Sequence, residues 1–227
     1  TEFVGDLDLN FDADKMLFSM PGSHGRWQIW QIGVDGRNLV QVTRGEEPDV
    51  DNYDACYLPD ERIIYDSTAC FQGVPCVGGG SYVANLYRMN NDGSDVRRIT
   101  YDQDASWHPA VMENGRVLYT RWEYTDKPLW RAQGLWTMHP DGTQVNTLWG
   151  NQSVWPDLVK DARAIPAAIE SDLTMCRPSV PSGSRSASDE PIRSSASVNS
   201  AALRRLVASA ISAVVRLASP ALPGGSS

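Results

Sequence analysis

Four groups of residues have side chains whose chemistry could serve a site: an acidic cluster, three histidines, a stretch of aromatic and charged residues, and four cysteines. The acidic cluster comprises Asp49, Asp51, Asp54, Asp60 and Glu61, whose oxygens could ligate Ca²⁺. It lacks the glycine and the terminal bidentate glutamate of an EF-hand loop. We therefore expect a solvated acidic turn that leads into a strand, in preference to a calcium site.

The three histidines, His24, His108 and His139, lie far apart in the sequence. A transition-metal site needs three or four ligands that converge. Only His108, which precedes Pro109, has a position from which it could approach a shared centre. We predict no metal site and no other cofactor.

The stretch of aromatic and charged residues consists of Arg121, Trp122, Glu123, Tyr124 and Asp126. It lies where a predicted strand leaves into a long loop, and binding residues concentrate on such loops. An aromatic pair flanked by charges suits a carbohydrate, peptide or protein ligand. The alternative is that Trp122 packs inside the protein, as large aromatic side chains usually do, and that Arg121 and Glu123 form a structural pair. We keep these five as candidate ligand-binding residues.

The cysteines are Cys56, Cys70, Cys76 and Cys176. Cys70 and Cys76 bracket a short loop that could close as a disulfide in an oxidising compartment, and two free thiols are the alternative. No Cys-x-x-Cys spacing occurs, so neither a zinc ribbon nor a c-type haem attachment site is encoded. There is also no Gly-x-Ser-x-Gly elbow and no phosphate loop, and we predict no catalytic residue.

The elements that position these residues repeat along the chain. An apolar strand ending in an Asp-Gly pair occurs three times, and the pairs Asp35-Gly36, Asp92-Gly93 and Asp141-Gly142 are 57 and 49 residues apart. Such a period indicates an array of one supersecondary unit. Each unit contains a lead-in, a short apolar strand, a strand that alternates apolar and polar residues, and a hairpin turn into an outer strand. The sequence therefore predicts an all-β fold of about three four-stranded antiparallel blades of a β-propeller.

The composition changes abruptly near residue 157. All 20 aromatic residues lie between Phe3 and Trp155. Residues 1–157 carry 23 acidic and 12 basic side chains, whereas residues 158–227 carry 5 and 8. We predict propeller blades over 1–157 and a Ser-, Ala-, Arg- and Pro-rich tail over 158–227, disordered or partly helical over 201–218. A fourth unit begins and then stops, as a shifted reading frame would produce, so we also hold the tail to be non-native sequence.

The composition and the lengths of the apolar runs also exclude some classes of partner. The acidic body argues against nucleic acid, which needs clustered Lys and Arg, and no apolar run is long enough to span a bilayer. The chain starts at Thr1 without a targeting signal, from which we expect the natural N-terminus to be missing. Propellers close with about 4–8 blades, so three blades should expose edges that self-associate.

Two kinds of residue pattern resemble known families. The turn before each apolar strand, together with the Asp-Gly hairpin that follows the next strand, resembles the WD40-like repeat of TolB-type propellers over about 6–157. The segments 71–79, 85–87 and 119–126 resemble the middle, propeller domain of the hydrazine synthase alpha-subunit family, which occurs in planctomycete-type bacteria. Its haem chemistry needs Cys-x-x-Cys-His, which is absent here, so the resemblance implies the domain type and no catalytic residue.

The resemblance implies an exported, periplasmic protein. We expect a non-catalytic binding or scaffold module that holds a protein or a small polar ligand on its loop face. The alternative is a piece of a larger propeller-containing enzyme, either a haem redox complex or a hydrolase. The chain alone is therefore not expected to be an enzyme.

Overall fold

The computed structural model describes residues 3–74, 81–123, 132–150 and 158–165. They form twelve strands in three four-stranded antiparallel sheets, each with its strands in chain order, and one short 3₁₀ turn at Ser23–Gly25. The first sheet contains β1 (Gly5–Leu9), β2 (Lys15–Pro21), β3 (Trp27–Gly33) and β4 (Val40–Gln41). The second contains β5 (Asn52–Tyr57), β6 (Ile63–Ser67), β7 (Asn85–Met89) and β8 (Arg97–Arg98). The third contains β9 (Ser106–Val111), β10 (Val117–Trp122), β11 (Gln133–Met138) and β12 (Asn146–Trp149). The predicted all-β propeller blades are confirmed.

The first strand of the second sheet, β5, contacts both β1 and β9, the first strands of the other two sheets, and these three are the innermost strands of the blades. Apolar clusters fill the space between successive blades. One joins Leu17 and Ile29 of the first blade to Tyr57 and Ile63 of the second. Another joins the second blade to the third, with Ile64 of the second against residues of β10 and β11. Burial between blades, with apolar residues on both faces of each sheet, explains why β2, β6 and β10 read as continuous apolar runs.

The Asp-Gly turns are hairpins, as predicted, and they also join blades. In each turn the aspartate Oδ1 accepts the backbone N–H two residues later, at 2.9 Å. Gly93 has a φ of +79°, and a Cβ there would lie 2.3 Å from the Val42 carbonyl oxygen of the preceding blade. Gly142 has the same relation to the Ile99 carbonyl oxygen. Glycine is thus required twice, for the left-handed backbone and for the close approach of two blades.

A buried threonine closes each of the first two blades. Thr100 Oγ1 accepts the Leu86 N–H at 2.8 Å and donates to Asn85 Oδ1 at 3.1 Å. Thr43 does the same with the Ile29 N–H and with Gln28. These bonds attach the short outer strand to the third strand where the backbone ladder ends.

The segment 158–165 continues the contacts between blades. The Ser106 N–H at the start of β9 donates to the Ala84 carbonyl just before β7, at 3.0 Å. The Val159 N–H donates in the same way to the Gln133 carbonyl at the start of β11, also at 3.0 Å. Thr120 Oγ1 donates to the Val159 carbonyl at 3.0 Å. Residues 158–165 thus lie against the third blade as β9 lies against the second.

The rest of the predicted tail, from residue 166, lies outside the described residues, so its character and the boundary at 157 stay predictions. Within the described ranges, no helix has the length and apolar character needed to cross a membrane.

Candidate functional site

The innermost strands share an irregularity at the same position. Asp6, Asp54 and His108 each have a positive φ, of 54°, 48° and 56°. Each lies at an interruption of the pairing between the first and second strands of its blade. A left-handed backbone is uncommon outside glycine and disfavours bulky side chains, and bulges commonly re-aim a side chain.

Asp161 has the same property in the fourth segment, with a φ of 51°. It follows His108 by 53 residues, as His108 follows Asp54 by 54 and Asp54 follows Asp6 by 48. Four successive repeats therefore present an acidic or imidazole side chain from one equivalent backbone position.

Three of these side chains, those of Asp54, His108 and Asp161, converge at the axis around which the blades are arranged. His108 Nδ1 lies 2.5 Å from Asp54 Oδ2 and 3.1 Å from Asp161 Oδ1. One ligand atom of each residue lies within 4.8 Å of the other two. The Asp54 side chain is buried, that of His108 is partly exposed and that of Asp161 is 71% exposed. Solvent thus reaches the cluster from the side of Asp161, whereas the side of Asp54 is buried in the protein.

Further carboxylates surround this cluster. Partial burial and the charge of Asp54 raise the pKa of Asp6, although Ser19 and His108 lower it. Burial raises the pKa of Asp8 to about 6, against a hydrogen bond from the Tyr57 N–H. Burial is thus the main reason that these two carboxylates hold their protons more tightly than usual.

Asp66 is the most deeply buried of these carboxylates. Its side chain is completely buried on β6, and neither carboxylate oxygen makes a hydrogen bond of normal geometry within the described part of the chain. Burial and the charge of Asp54 raise its pKa well above the usual range, and the His108 backbone N–H lowers it less. Buried carboxylates normally have partners, so Asp66 is a polar group that the fold leaves for something else to stabilise.

An aromatic cup lies beside Asp6. Phe3, Trp27 and Tyr53 line it together with Asp6. The Phe3 and Trp27 rings meet edge to face with centroids 5.8 Å apart. Aromatic faces next to a carboxylate suit a positively charged group.

The predicted loop-face residues are described only in part. Arg121 Nη2 lies 3.1 Å from Asp102 Oδ1, and its guanidinium lies 4.5 Å from the centre of the Trp136 ring. Trp122 stacks on Trp107, with centroids 6.2 Å apart. The Glu123 N–H donates to the Ala132 carbonyl at 2.8 Å. Arg121 and Trp122 thus make structural contacts within the third blade and its neighbourhood.

Tyr124 and Asp126 lie outside the described residues, so the ligand-binding role of the group stays a prediction. Cys76 lies outside them as well. The Cys70 thiol approaches the Val83 carbonyl at 3.3 Å, and the disulfide between Cys70 and Cys76 stays a prediction.

The acidic cluster of the sequence divides in the structure. Asp49 and Asp51 pair with Arg26, and Glu61 pairs with Lys15. Asp54 is buried at the axis, so the expectation of a solvated turn was wrong for this residue. The reason is that β5 begins at Asn52, two residues before Asp54, and the bulge turns Asp54 inward.

The sequence indicated that only His108 among the histidines could approach a shared centre, but it did not pair His108 with Asp54 and Asp161. One signal could have done so: an Asp or a His recurs at about the blade period before each turn that leads into the second strand of a blade. Asp6, Asp54 and His108 fit this signal, and Asp161 extends it.

Comparison with known proteins identifies the fold. No family model and no curated protein sequence matches the chain. Among solved structures, it is similar to a putative TolB from Agrobacterium tumefaciens, with 20% identity and a TM-score of 0.51 over 66% of this chain and 49% of that one. It is also similar to Kuenenia stuttgartiensis hydrazine synthase, with 17% identity and a TM-score of 0.54 over 66% of this chain and 25% of that one.

The chain thus spans about half the length of the first protein and a quarter of the second. At these identities the likeness is one of fold. Together with the three four-stranded sheets, it shows that the described residues form consecutive blades of a TolB-like β-propeller.

Proposed function

We propose that this chain is a non-catalytic binding module of an exported protein, and that its ligand docks where the axial cluster opens. The observation that carries the proposal is the convergence of Asp54, His108 and Asp161 from three successive repeats. A repeat scaffold needs no such convergence for its own packing, because its apolar clusters already join the blades. Strained backbone that recurs around a group of polar side chains is typical of a functional site.

The strand register identifies the face. Asn52 pairs with Ser67, and Ser106 pairs with Arg121, so the starts of the inner strands lie at the same end as the loops after β6 and β10. Asp54 and His108 are each the third residue of their strand. The cluster therefore opens towards the predicted loop face, and in this proposal Arg121, Trp122 and Glu123 belong to the rim of the same surface.

The charge of the site indicates the chemistry of the ligand. Four carboxylates lie near His108, those of Asp6, Asp54, Asp66 and Asp161, and that of Asp8 lies near Asp54. Arg163, whose Nη1 donates to the Pro109 carbonyl at 3.3 Å, is near enough to influence Asp8. Removing carboxylates from water without neutralising them is costly. We infer that the ligand, a protein segment or a small polar molecule, brings positive charge to the axis, and the cup beside Asp6 would hold an ammonium or guanidinium group.

Selection from a library of displayed random peptides tests this function. We expect the wild-type chain to select peptides enriched in Lys and Arg. Asp54→Asn should weaken their binding at least about tenfold, the equivalent of about 1.4 kcal/mol. Asp12→Asn is the matched control, because Asp12 is an exposed aspartate in the turn at the other end of the first blade. Selection of peptides without positive charge, equal binding to Asp54→Asn, or no selection above background would contradict the proposal.

A further inference from the structure

Three potential metal ligands meet at the axis. They are Asp54 Oδ2, His108 Nδ1 and Asp161 Oδ1, all within 4.8 Å of one another. We propose that these three atoms bind a divalent transition-metal ion such as Zn²⁺. The inference rests on the proposed function only for the location of the site, and it places the ion among the axial side chains while the cup beside Asp6 stays available to a cationic ligand.

The spacing of the atoms suits an ion placed among them. Zinc binds imidazole nitrogen and carboxylate oxygen at about 2.0–2.2 Å, so that tetrahedral ligand atoms lie about 3.4 Å apart. His108 Nδ1 already lies 2.5 and 3.1 Å from the two oxygens. Small side-chain movements open this arrangement, and the ion then replaces the hydrogen bonds that join the imidazole to the carboxylates.

Asp66 provides a second, independent observation. Its carboxylate is fully buried, makes no hydrogen bond of normal geometry within the described ranges, and faces the His108 backbone N–H. Asp54 and Asp6 are the carboxylates near enough to influence it. A divalent ion between Asp54 and His108 would place positive charge near this buried carboxyl group, whose oxygens lack a hydrogen bond of normal geometry within the described ranges.

The ligand types narrow the choice of ion. Calcium and magnesium take oxygen ligands almost exclusively, and magnesium keeps most of its waters. Imidazole together with carboxylates suits Zn²⁺ or another first-row divalent ion. Three protein ligands leave a coordination position open, and the exposure of Asp161 directs that position towards the loop face.

The ligands come from three successive repeats, so the ion would also join them. The second blade contributes Asp54, the third contributes His108, and the segment after the third contributes Asp161. Binding to the folded arrangement alone raises the stability of the folded state by mass action.

Equilibrium binding of Zn²⁺ to the full chain, purified without a polyhistidine tag, tests the proposal. We expect one ion per chain and a raised melting temperature. His108→Gln and Asp54→Asn should weaken binding by more than about 100-fold, since even partners of metal ligands contribute about 10–100-fold. Asp161→Asn should weaken it at least about tenfold, and its side chain is exposed enough that the fold should tolerate the change.

Two controls keep the result specific. His139→Gln removes an exposed imidazole that bonds Gln144 in the third Asp-Gly turn, and Asp12→Asn removes an exposed carboxylate. Both should bind Zn²⁺ as the wild type does. Calcium should bind more weakly than zinc, and the circular dichroism spectrum of each variant without metal checks its fold.

Absence of zinc binding at millimolar concentration would overturn the metal site, as would binding that Asp161→Asn and His108→Gln leave unchanged. The peptide selection separates this failure from failure of the proposed function. If Lys- and Arg-rich peptides bind in EDTA and depend on Asp54, the binding module stands without a metal. If zinc binds and no peptide is selected, the metal site stands and the proposed function falls.

Discussion

The two ends of each blade differ in which residues repeat from one blade to the next. At one end, the three Asp-Gly turns repeat the same residues in the same geometry, and two of their glycines pack on the backbone of the preceding blade. At the other end, the inner strands repeat a left-handed backbone but vary the side chain, which is Asp6, Asp54, His108 and then Asp161. Constant residues that pack one blade on the next make a scaffold, whereas varied polar side chains that converge on one point make a candidate site.

Both ends contain residues with a left-handed backbone, which has an energetic cost for residues other than glycine. A non-glycine residue in the left-handed region costs roughly 1–2 kcal/mol, and the inner strands accept this cost at Asp6, Asp54 and His108. Each Asp-Gly turn has glycine at one left-handed position and a varied residue, Asn38, Asp95 or Gln144, at a second. The turn residues Asn38, Asp95 and Gln144 are exposed, whereas Asp54 is buried and converges with His108 and Asp161. The convergence of the side chains, rather than the left-handed backbone alone, supports a functional role for the axial end.

The largest expected effect tests the turn end. Gly93→Ala adds a Cβ 2.3 Å from the Val42 carbonyl oxygen, so the second blade must move away from the first. We expect a loss of about 3–4 kcal/mol in the free energy of unfolding, measured by urea denaturation.

Gly115→Ala is the matched control for this change. Gly115 has a φ of +77° with no atom within 4 Å of the added Cβ, so only the backbone cost of about 1–2 kcal/mol applies. Equal losses in the two variants would show that the Asp-Gly turns do not join the blades.

The next effect tests the axis through Asp8, whose pKa burial raises to about 6 from its ordinary value of 3.8. The folded state then binds the proton more tightly than the unfolded state. The stability that Asp8 contributes is complete below about pH 4, falls as the pH rises towards 6, and is lost above it. Asp8→Asn, whose amide oxygen can still accept the Tyr57 N–H, should therefore stabilise the protein at pH 7.

We expect this gain to be about 2–3 kcal/mol at pH 7 and close to zero at pH 4. Unfolding in EDTA at both values of pH measures it without interference from metal ions. Asp12→Asn, a change at an exposed turn, should show no such pH dependence. A gain that is the same at both values of pH would mean that Asp8 is not destabilised by burial.

A smaller effect tests the hydrogen bond by which Thr100 attaches the outer strand of the second blade to its third strand. Thr100→Val keeps the shape of the side chain but leaves the buried Leu86 N–H without the Thr100 oxygen. An unsatisfied buried group costs about 1–3 kcal/mol, and we expect about 1–2 kcal/mol with faster hydrogen exchange at the Leu86 amide. Thr147→Val, at a half-exposed position on β12, should change neither. If the Leu86 amide keeps its protection, the threonine does not close the blade.

The difference between the ends also explains what could be predicted from the sequence. The Asp-Gly turns and the strands beside them follow from local rules, because alternation and turn chemistry depend on neighbouring residues. The axial cluster depends on residues 54 and 53 positions apart that meet only when the blades are arrayed. A bulge also shifts the inward alternation by one residue, so Asp54 looked like part of an acidic turn beside Asp49 and Asp51.

The smallest effect concerns the rim of the loop face, where Arg121 is both a predicted ligand contact and a structural residue. Arg121→Lys keeps a charge for Asp102 but loses the planar contact with Trp136. Because such contacts contribute about 0.5–1 kcal/mol, we expect a loss of stability near 1 kcal/mol. If the role of Arg121 is structural, the affinity for the selected peptides should not change. An unchanged stability with weaker peptide binding would instead make Arg121 a ligand contact, and the binding site would then extend from the axis across the loop face.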